Sequence, residues 1–372
     1  MGNAIQEFYE QGQSIWCDNI SRQMIDSGVL QRLIDLGVVG VTSNPTIFMN
    51  AISGGGEYDE RFSRLLERDR GQLEIYEGLV LPDIADAADI LRPVYDRTGG
   101  VDGYVSLEVN PKLAFDTAGT IAEARRLFAA LRRPNILIKV PATEEGIAAI
   151  EALIAQGINV NATLIFSLTM YQKVMGAYVR GLKRIVEAGR NPSTMASVAS
   201  FFISRIDTLI DKLLQEKRVQ HGDVTGLPGM AAIANAKLAY QQFERFFDPA
   251  GDFGELAAKG ARVQRPVWAS TSTKNPDYPV TKYVDGLVAP NSVNTIPPQT
   301  IDAVLRDRSA KVTIRDDLPG ARAVFEALAG MDIHIGAVTD KLLADGVKAF
   351  AKSFDDLLAN LARKQEQLRS VG

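Results

Sequence analysis

The sequence predicts an α/β protein: a single (β/α)8 (TIM) barrel over residues 1–372, with an additional helix at about 339–369 packed on the barrel. Three observations predict it. Short apolar runs of strand length alternate with longer amphipathic stretches along the chain. Eight such runs are found, enough to close a parallel barrel. In seven of them, alternate side chains divide into an apolar set and a set carrying a polar group. With 372 residues, 46% of them hydrophobic, such a barrel buries a substantial core as one unit.

The first run, Ser14–Asp18, sets Ile15 and Cys17 against Trp16 and Asp18. In Val38–Asn44, Val39 and Val41 oppose Gly40, Thr42 and Asn44. In Tyr104–Glu108, Val105 and Leu107 oppose Ser106 and Glu108. In Asn135–Val140, Ile136, Ile138 and Val140 oppose Leu137 and Lys139. Asn161–Phe166 sets Leu164 and Phe166 against Asn161, Thr163 and Ile165. Val198–Phe202 sets Ala199 and Phe201 against Val198, Ser200 and Phe202. Pro266–Thr271 sets Val267 and Ala269 against Trp268 and Ser270. Gly286–Ala289 is read as the eighth strand.

Between the runs, helical spacing is clear. Ala87, Ile90, Leu91 and Val94 share one face. Ile147, Ile150, Leu153 and Ile154 do the same behind Thr143, a candidate N-cap. Phe350, Phe354, Leu357, Leu358 and Leu361 form a stripe on a last helix that packs across the barrel or its partner, or else, as the favoured reading, lies as an ordinary amphipathic helix on the barrel wall.

If the barrel closes, Asp18, Asn44, Glu108, Lys139, Asn161, Thr163, Ser200 and Ser270 converge on its C-terminal mouth, where barrel active sites lie. One such residue alone reads as the partner of a local backbone group. The same phase in seven strands reads as a site.

Composition narrows the chemistry. A net charge of −4 gives no nucleic-acid footprint and no polybasic membrane anchor. No apolar run reaches the length of a membrane span. Met1–Gln13 is polar and lacks the pattern of a signal peptide, so a cytoplasmic location is expected. Cys17 is the one cysteine, and no internal disulfide can form. The two histidines, His221 in a Gln-His-Gly-Asp loop and His334 in a short strand or turn, read as structural or solvated. Neither a zinc site nor a histidine triad is expected, which leaves carboxylates, lysine and hydroxyls to carry the chemistry.

An ammonium held inside a barrel mouth is costly unless it is paired or gives up its proton. Two roles are therefore open to Lys139: ion-pair partner of Glu108 or Asp18, or amine nucleophile toward a carbonyl. In the second role the resulting iminium is an electron sink for breaking or forming a C–C bond. Asp18 and Glu108 would divide the proton transfers, and Thr163 would hold a water. Thr42, Asn44 and Asn161 are candidate sugar contacts. Ser200 with Arg205, and Ser270 with Lys274, suit a phosphomonoester. A surface salt bridge for Arg205 and a solvated loop position for Lys274 are the alternatives.

These stretches resemble a known family. Gly-Val-Thr-Ser-Asn-Pro-Thr-Ile-Phe at 40–48 and Asn-Ile-Leu-Ile-Lys-Val-Pro-Ala-Thr at 135–143 are similar to two transaldolase signatures. Val-Ser-Leu-Glu-Val at 105–109, Phe-Asp-Thr at 115–117, and Gly-Ile-Asn-Val-Asn-Ala-Thr-Leu-Ile-Phe-Ser at 157–167 resemble further family stretches, in the expected order. The resemblance implies that Lys139 attacks a ketose phosphate and that Asp18 takes the C4-hydroxyl proton. Glu108, with a water on Thr163, would serve the imine steps. A dihydroxyacetone unit would pass from sedoheptulose 7-phosphate to glyceraldehyde 3-phosphate, giving erythrose 4-phosphate and fructose 6-phosphate. The implied setting is the non-oxidative pentose phosphate pathway, with no metal or organic cofactor. The partners would be sugar phosphates alone, and the assembly a monomer or homodimer.

One departure stands out: many members carry arginine at the position of Ser272, and here the nearest cation is Lys274. A lysine offers a point charge rather than a bidentate fork. The form Ala-Ser-Thr-Ser-Thr-Lys-Asn-Pro resembles a longer bacterial subfamily. Two rival readings are weighed. A fructose-6-phosphate aldolase would release free dihydroxyacetone, but such enzymes usually carry glutamine where this chain has Glu108. An inactive sugar-phosphate- or protein-binding barrel would have no use for Lys139, Glu108 and Asp18 together.

Overall fold

The computed structural model describes residues 2–67, 70–221, 226–307 and 310–371. Eight parallel strands close a barrel in sequence order. They are β1 (Gln13–Cys17), β2 (Gly40–Val41), β3 (Tyr104–Glu108), β4 (Ile136–Pro141), β5 (Val160–Ile165), β6 (Ser197–Phe202), β7 (Arg265–Ala269) and β8 (Ser292–Ile296).

Helices fill the connections. α1 (Ala4–Glu10) precedes β1, and α2 (Arg22–Asp26) and α3 (Val29–Asp35) follow it. After β2 come α4 (Pro45–Gly54), α5 (Asp59–Leu66) and α6 (Gln72–Arg97). Single helices follow the next three strands: α7 (Thr117–Leu131), α8 (Glu144–Gln156) and α9 (Leu168–Glu187). After β6 come α10 (Ser204–His221), α11 (Ala231–Phe246) and α12 (Gly254–Ala258), and α13 (Lys282–Gly286) follows β7. The chain ends with α14 (Pro298–Asp307), α15 (Leu318–Gly330) and α16 (Ile335–Val371). Among the described residues, no helix is long and apolar enough to cross a membrane.

The interior is filled in layers. At the N-terminal end, Asp102 accepts from Ser14 (2.8 Å), Trp16 Nε1 (3.1 Å) and Arg265 (2.9 Å). These paired groups plug the barrel from below. Above them the Trp16 ring lies across the axis, facing Gly40. A Cβ at Gly40 would sit 2.6 Å from the ring, so only glycine fits there. The barrel is therefore filled at its base, and its interior opens at the C-terminal end.

Register tests each predicted strand. β3 matches its expected range, and β4, β5 and β6 begin within a residue of theirs. Glu108 pairs with Lys139, Lys139 with Asn161, and Pro141 with Thr163, so these side chains share the inner face. Thr143 caps α8 as expected.

Three readings are corrected. Gly286–Ala289 is not the eighth strand: Gly286 ends α13 and the next three residues are a buried connection. The strand is Ser292–Ile296, which reaches β1 from Gln13 to Cys17. In β7 the inner parity is reversed. Val267 pairs with Ser200 and Trp268 with Phe201, so Val267 and Ala269 face the axis while Trp268 faces the helices. Ser270 still reaches the mouth, because its φ of +57° ends the strand and breaks the alternation. In β5, Leu164 has a φ of +60° at a register shift, and Ile165 pairs with Phe201 on the helix side. The strict period of 2 fails at both positions because neither backbone is extended there.

α16 takes the alternative of packing across the barrel rather than the favoured wall position. It does not lie on the barrel wall; it crosses the mouth, packing on α4 and α6 with the Phe350 ring over the opening. His334 sits exposed in the turn before α16, 3.2 Å from Asp332. His221 ends α10 rather than lying in a loop, and its side chain lies outside the described residues.

Candidate active site

A cavity of about 210 Å³ opens at the C-terminal mouth. Asp18, from the end of β1, lines it beside Thr42 and Asn44, which follow β2. Lys139 and Thr163 line it from β4 and β5, Ser200 and Phe202 from β6, and Ser270 and Thr295 from β7 and β8. Ala269 of β7, Thr46, Ile47 and Asn50 of α4, Arg205 of α10 and Phe350 of α16 complete the wall.

Lys139 is buried at the centre. Its Nζ donates to the Ser43 carbonyl at 2.9 Å and lies 3.5 Å from Glu108 Oε2. That separation makes an ion pair but a poor hydrogen bond. Among the described residues, neither Glu108 oxygen nor Thr163 Oγ1 has a hydrogen-bond partner, although all three atoms are buried. Buried polar atoms without protein partners are where ordered water or substrate polar groups belong.

Burial raises the Glu108 pKa, and the nearby Asp18 adds to the rise. The charges of Lys139 and Arg205 oppose it. Asp18 is also raised by burial. The Thr42 hydroxyl, donating at 2.7 Å, offsets this, as do the charges of Lys139 and Lys274. Both carboxylates thus feel the charge of one amine, each with a different set of partners. Glu108, 3.5 Å from that amine, does not itself line this cavity but an adjoining one with Ser43, Asn44 and Tyr76.

Thr42 itself is engaged: besides Asp18 it meets Thr295 Oγ1 at 2.6 Å. Asn44 uses its side-chain oxygen to cap α4 at Ile47 N, 3.0 Å away. Asn161 is buried beneath the cavity floor, donating to Ser106 Oγ and accepting from Ser200 Oγ at 2.7 Å. It supports Ser200 and is not part of the cavity wall.

The cationic end divides. Arg205 is in the wall, its guanidinium 5.4 Å from the Phe202 ring centroid and 5.9 Å from that of Phe350. Among the described residues none accepts a hydrogen bond from it, and burial lowers its pKa. It is not the surface salt bridge held open as an alternative. Ser270 faces Ser204 Oγ at 3.1 Å. Lys274 is exposed, donates to Ser272 Oγ at 2.8 Å, and does not line the cavity, although its charge reaches Asp18.

Sequence reasoning missed Phe350, Ala269, Thr295, Thr46, Ile47 and Asn50 as cavity residues, and gave the inward Phe202 no role. Thr295 was hidden by the misplaced eighth strand; the alternation of Ser-Val-Asn-Thr-Ile was the signal available. The α4 residues carry no signal apart from following an Asn-Pro helix start. Among the described residues, no three His, Cys, Asp or Glu side chains are grouped as metal ligands.

Comparison with known proteins bears on this arrangement. The family model described as transaldolase/fructose-6-phosphate aldolase matches residues 15–361. A transaldolase of Trichodesmium erythraeum is 44% identical over 378 aligned residues, covering 99% of both chains. One from Thermobifida fusca is 46% identical over 366, covering 98% of this chain and 99% of the relative. One from Mycobacterium leprae is 43% identical over 362, covering 97% and 95%.

Proposed function

The chain belongs to the transaldolase/fructose-6-phosphate aldolase family, and from that premise we propose that it is a transaldolase working through a Schiff base on Lys139. The observation that supports this most is a buried amine that lines the cavity with Asp18 and lies 3.5 Å from the buried Glu108.

In this reading Lys139 Nζ adds to the C2 carbonyl of a ketose phosphate. The carbinolamine loses water to give an iminium, with Glu108 and a water on Thr163 carrying the protons. Asp18 removes the C4-hydroxyl proton, the C3–C4 bond breaks, and its electrons pass to the iminium nitrogen. The aldose phosphate departs, leaving a dihydroxyacetone enamine on Lys139. Attack on a second aldose phosphate reverses these steps and returns the amine.

Arg205 and Ser270 take the phosphate of donor and acceptor in turn, with Ser200 beside them. Lys274 acts as a more distant point charge. Thr42 orients Asp18, and Asn44 uses its free amide N–H groups toward sugar hydroxyls. Asn161, beneath the floor, acts through Ser200, whose hydroxyl it holds. Residues 1–372 act as one catalytic unit, since the cavity draws side chains from β1 through α16. We place the enzyme in the cytoplasm, as a monomer or homodimer whose mass light scattering would read.

The test is chemical. Incubation with fructose 6-phosphate and borohydride should leave a stable adduct on Lys139, located by mass spectrometry. Absence of the adduct removes the mechanism. In a separate incubation without borohydride, sedoheptulose 7-phosphate should form from fructose 6-phosphate when erythrose 4-phosphate is added. Turnover that needs no acceptor points instead to an aldolase.

A further inference from the structure

α16 is anchored across the mouth by contacts from several elements. Thr46 Oγ1 donates to Ser353 Oγ at 2.9 Å, Lys112 meets Asp355 at 2.5 Å, and the Phe354 ring stands edge-on to Tyr76 with centroids 5.4 Å apart. This anchoring holds Phe350, which is only 4% exposed, over the cavity. The Phe350 ring centroid lies 5.9 Å from Lys139 Nζ and 5.9 Å from Arg205 Cζ. One helical turn earlier, Gly346 lies against Leu164 and Arg205: a Cβ there would be tight at 3.1 Å from Leu164 Cδ2 and in ordinary contact, 3.6 Å, with Arg205 Nη1. Two aromatic rings, Phe202 and Phe350, are thus what hold the guanidinium within the described protein, and its N–H groups stay available to a ligand.

We infer that Phe350 determines reaction specificity: it holds Arg205 in place and walls the Lys139 nitrogen off from water, so that the bound three-carbon unit is transferred rather than hydrolysed. The inference rests on the Schiff-base reading above. The competing reaction is defined. Protonation of the enamine carbon regenerates an iminium, water adds to its carbon, and the C–N bond breaks. The products are dihydroxyacetone and the free Lys139 amine, so the net change is enamine plus water. A cation such as the iminium is stabilised by an aromatic face and does not require water for that stabilisation. A branched aliphatic side chain keeps the wall apolar but removes the face and leaves space beside the nitrogen.

The experiment compares the unaltered enzyme with Phe350→Leu and with Leu361→Ala. Leu361 is buried further along α16 and does not line the cavity. Dihydroxyacetone release from fructose 6-phosphate alone is measured against transfer to erythrose 4-phosphate. Phe350→Leu should raise the ratio of release to transfer about tenfold and raise KM for fructose 6-phosphate severalfold. Leu361→Ala should lower Tm yet leave the ratio within about twofold of the unaltered enzyme. Should Phe350→Leu not fold, Phe350→Met carries the same expectation. An unchanged ratio in a Phe350 variant that still yields the borohydride adduct on Lys139 overturns the inference. So does an equal rise in Leu361→Ala, because loosened helix docking would then suffice. Absence of the adduct from the unaltered enzyme overturns the Schiff-base reading as well, and so separates the two failures.

Discussion

A carboxylate removed from water without a hydrogen-bond donor holds its proton to higher pH, and Glu108 is such a group. It has a cation 3.5 Å away but no donor at hydrogen-bond distance among the described residues. This suits a residue that must both give and take a proton. Glu108→Gln keeps the shape and removes the exchange. Transfer should fall by about a hundredfold or more. Donor binding, read from equilibrium titration with fructose 6-phosphate, should change far less. Unchanged turnover would remove Glu108 from the relay. Lys139, Glu108, Asp18 and Thr163 were legible in the sequence because each stands at or beside the end of a strand whose alternation is intact up to that residue. Ser270 was found for the wrong reason. Its assumed partner in phase, Trp268, faces the helices, and a left-handed turn returns the serine to the cavity.

At the scale of elements, α16 is where amphipathic pattern and position part company. Its stripe Phe350, Phe354, Leu357 and Leu361 is legible as a buried face, but a stripe does not say what buries it. The answer is α4, α6 and the barrel mouth, and the close approach depends on Gly346. A Cβ at that position would lie 3.1 Å from Leu164 Cδ2. In an open helix, replacing glycine gains up to about 1 kcal/mol. Overpacking a close contact costs about 1–3 kcal/mol. Gly346→Val should therefore destabilise, as read from the denaturant midpoint, and should raise KM for sugar phosphates as α16 lifts from Arg205. A stabilised variant with native KM would show that the helix is not pressed against the mouth.

For the molecule as a whole, burying carboxylates to build the site and its surroundings links stability to pH. Asp207 of α10 accepts from Ala232 N at 2.7 Å and from the Tyr283 hydroxyl at 2.9 Å, tying three elements together. Burial nevertheless pushes it up to about 6. An unfolded aspartate titrates near 4, so between roughly pH 4 and pH 6 the native chain holds a proton that the unfolded chain has released. This contribution to stability is therefore full below about pH 4 and is lost as pH rises through about 6. Asp18 and Glu108, also raised, act in the same direction. Asp207→Asn should shrink the difference in Tm between pH 4.5 and 7.5, checked by calorimetry. An unchanged difference would mean that Asp207 ionises normally in the folded chain.

The sequence by itself determined the barrel, the inward phase of six strands and the four groups of the proposed reaction centre. These follow from a two-residue period and apolar spacing, which are local properties of the chain. Family motifs added the expectation of transaldolase chemistry, and the full-length relatives agree with it. Only the tertiary structure decided which segment closes the barrel as β8, where Leu164 and Ser270 break the alternation, and that a helix some two hundred residues beyond Lys139 lays Phe350 over it. Those features depend on contacts between distant segments and on single left-handed residues. Neither leaves a periodic trace in the sequence, so pattern alone does not reach them.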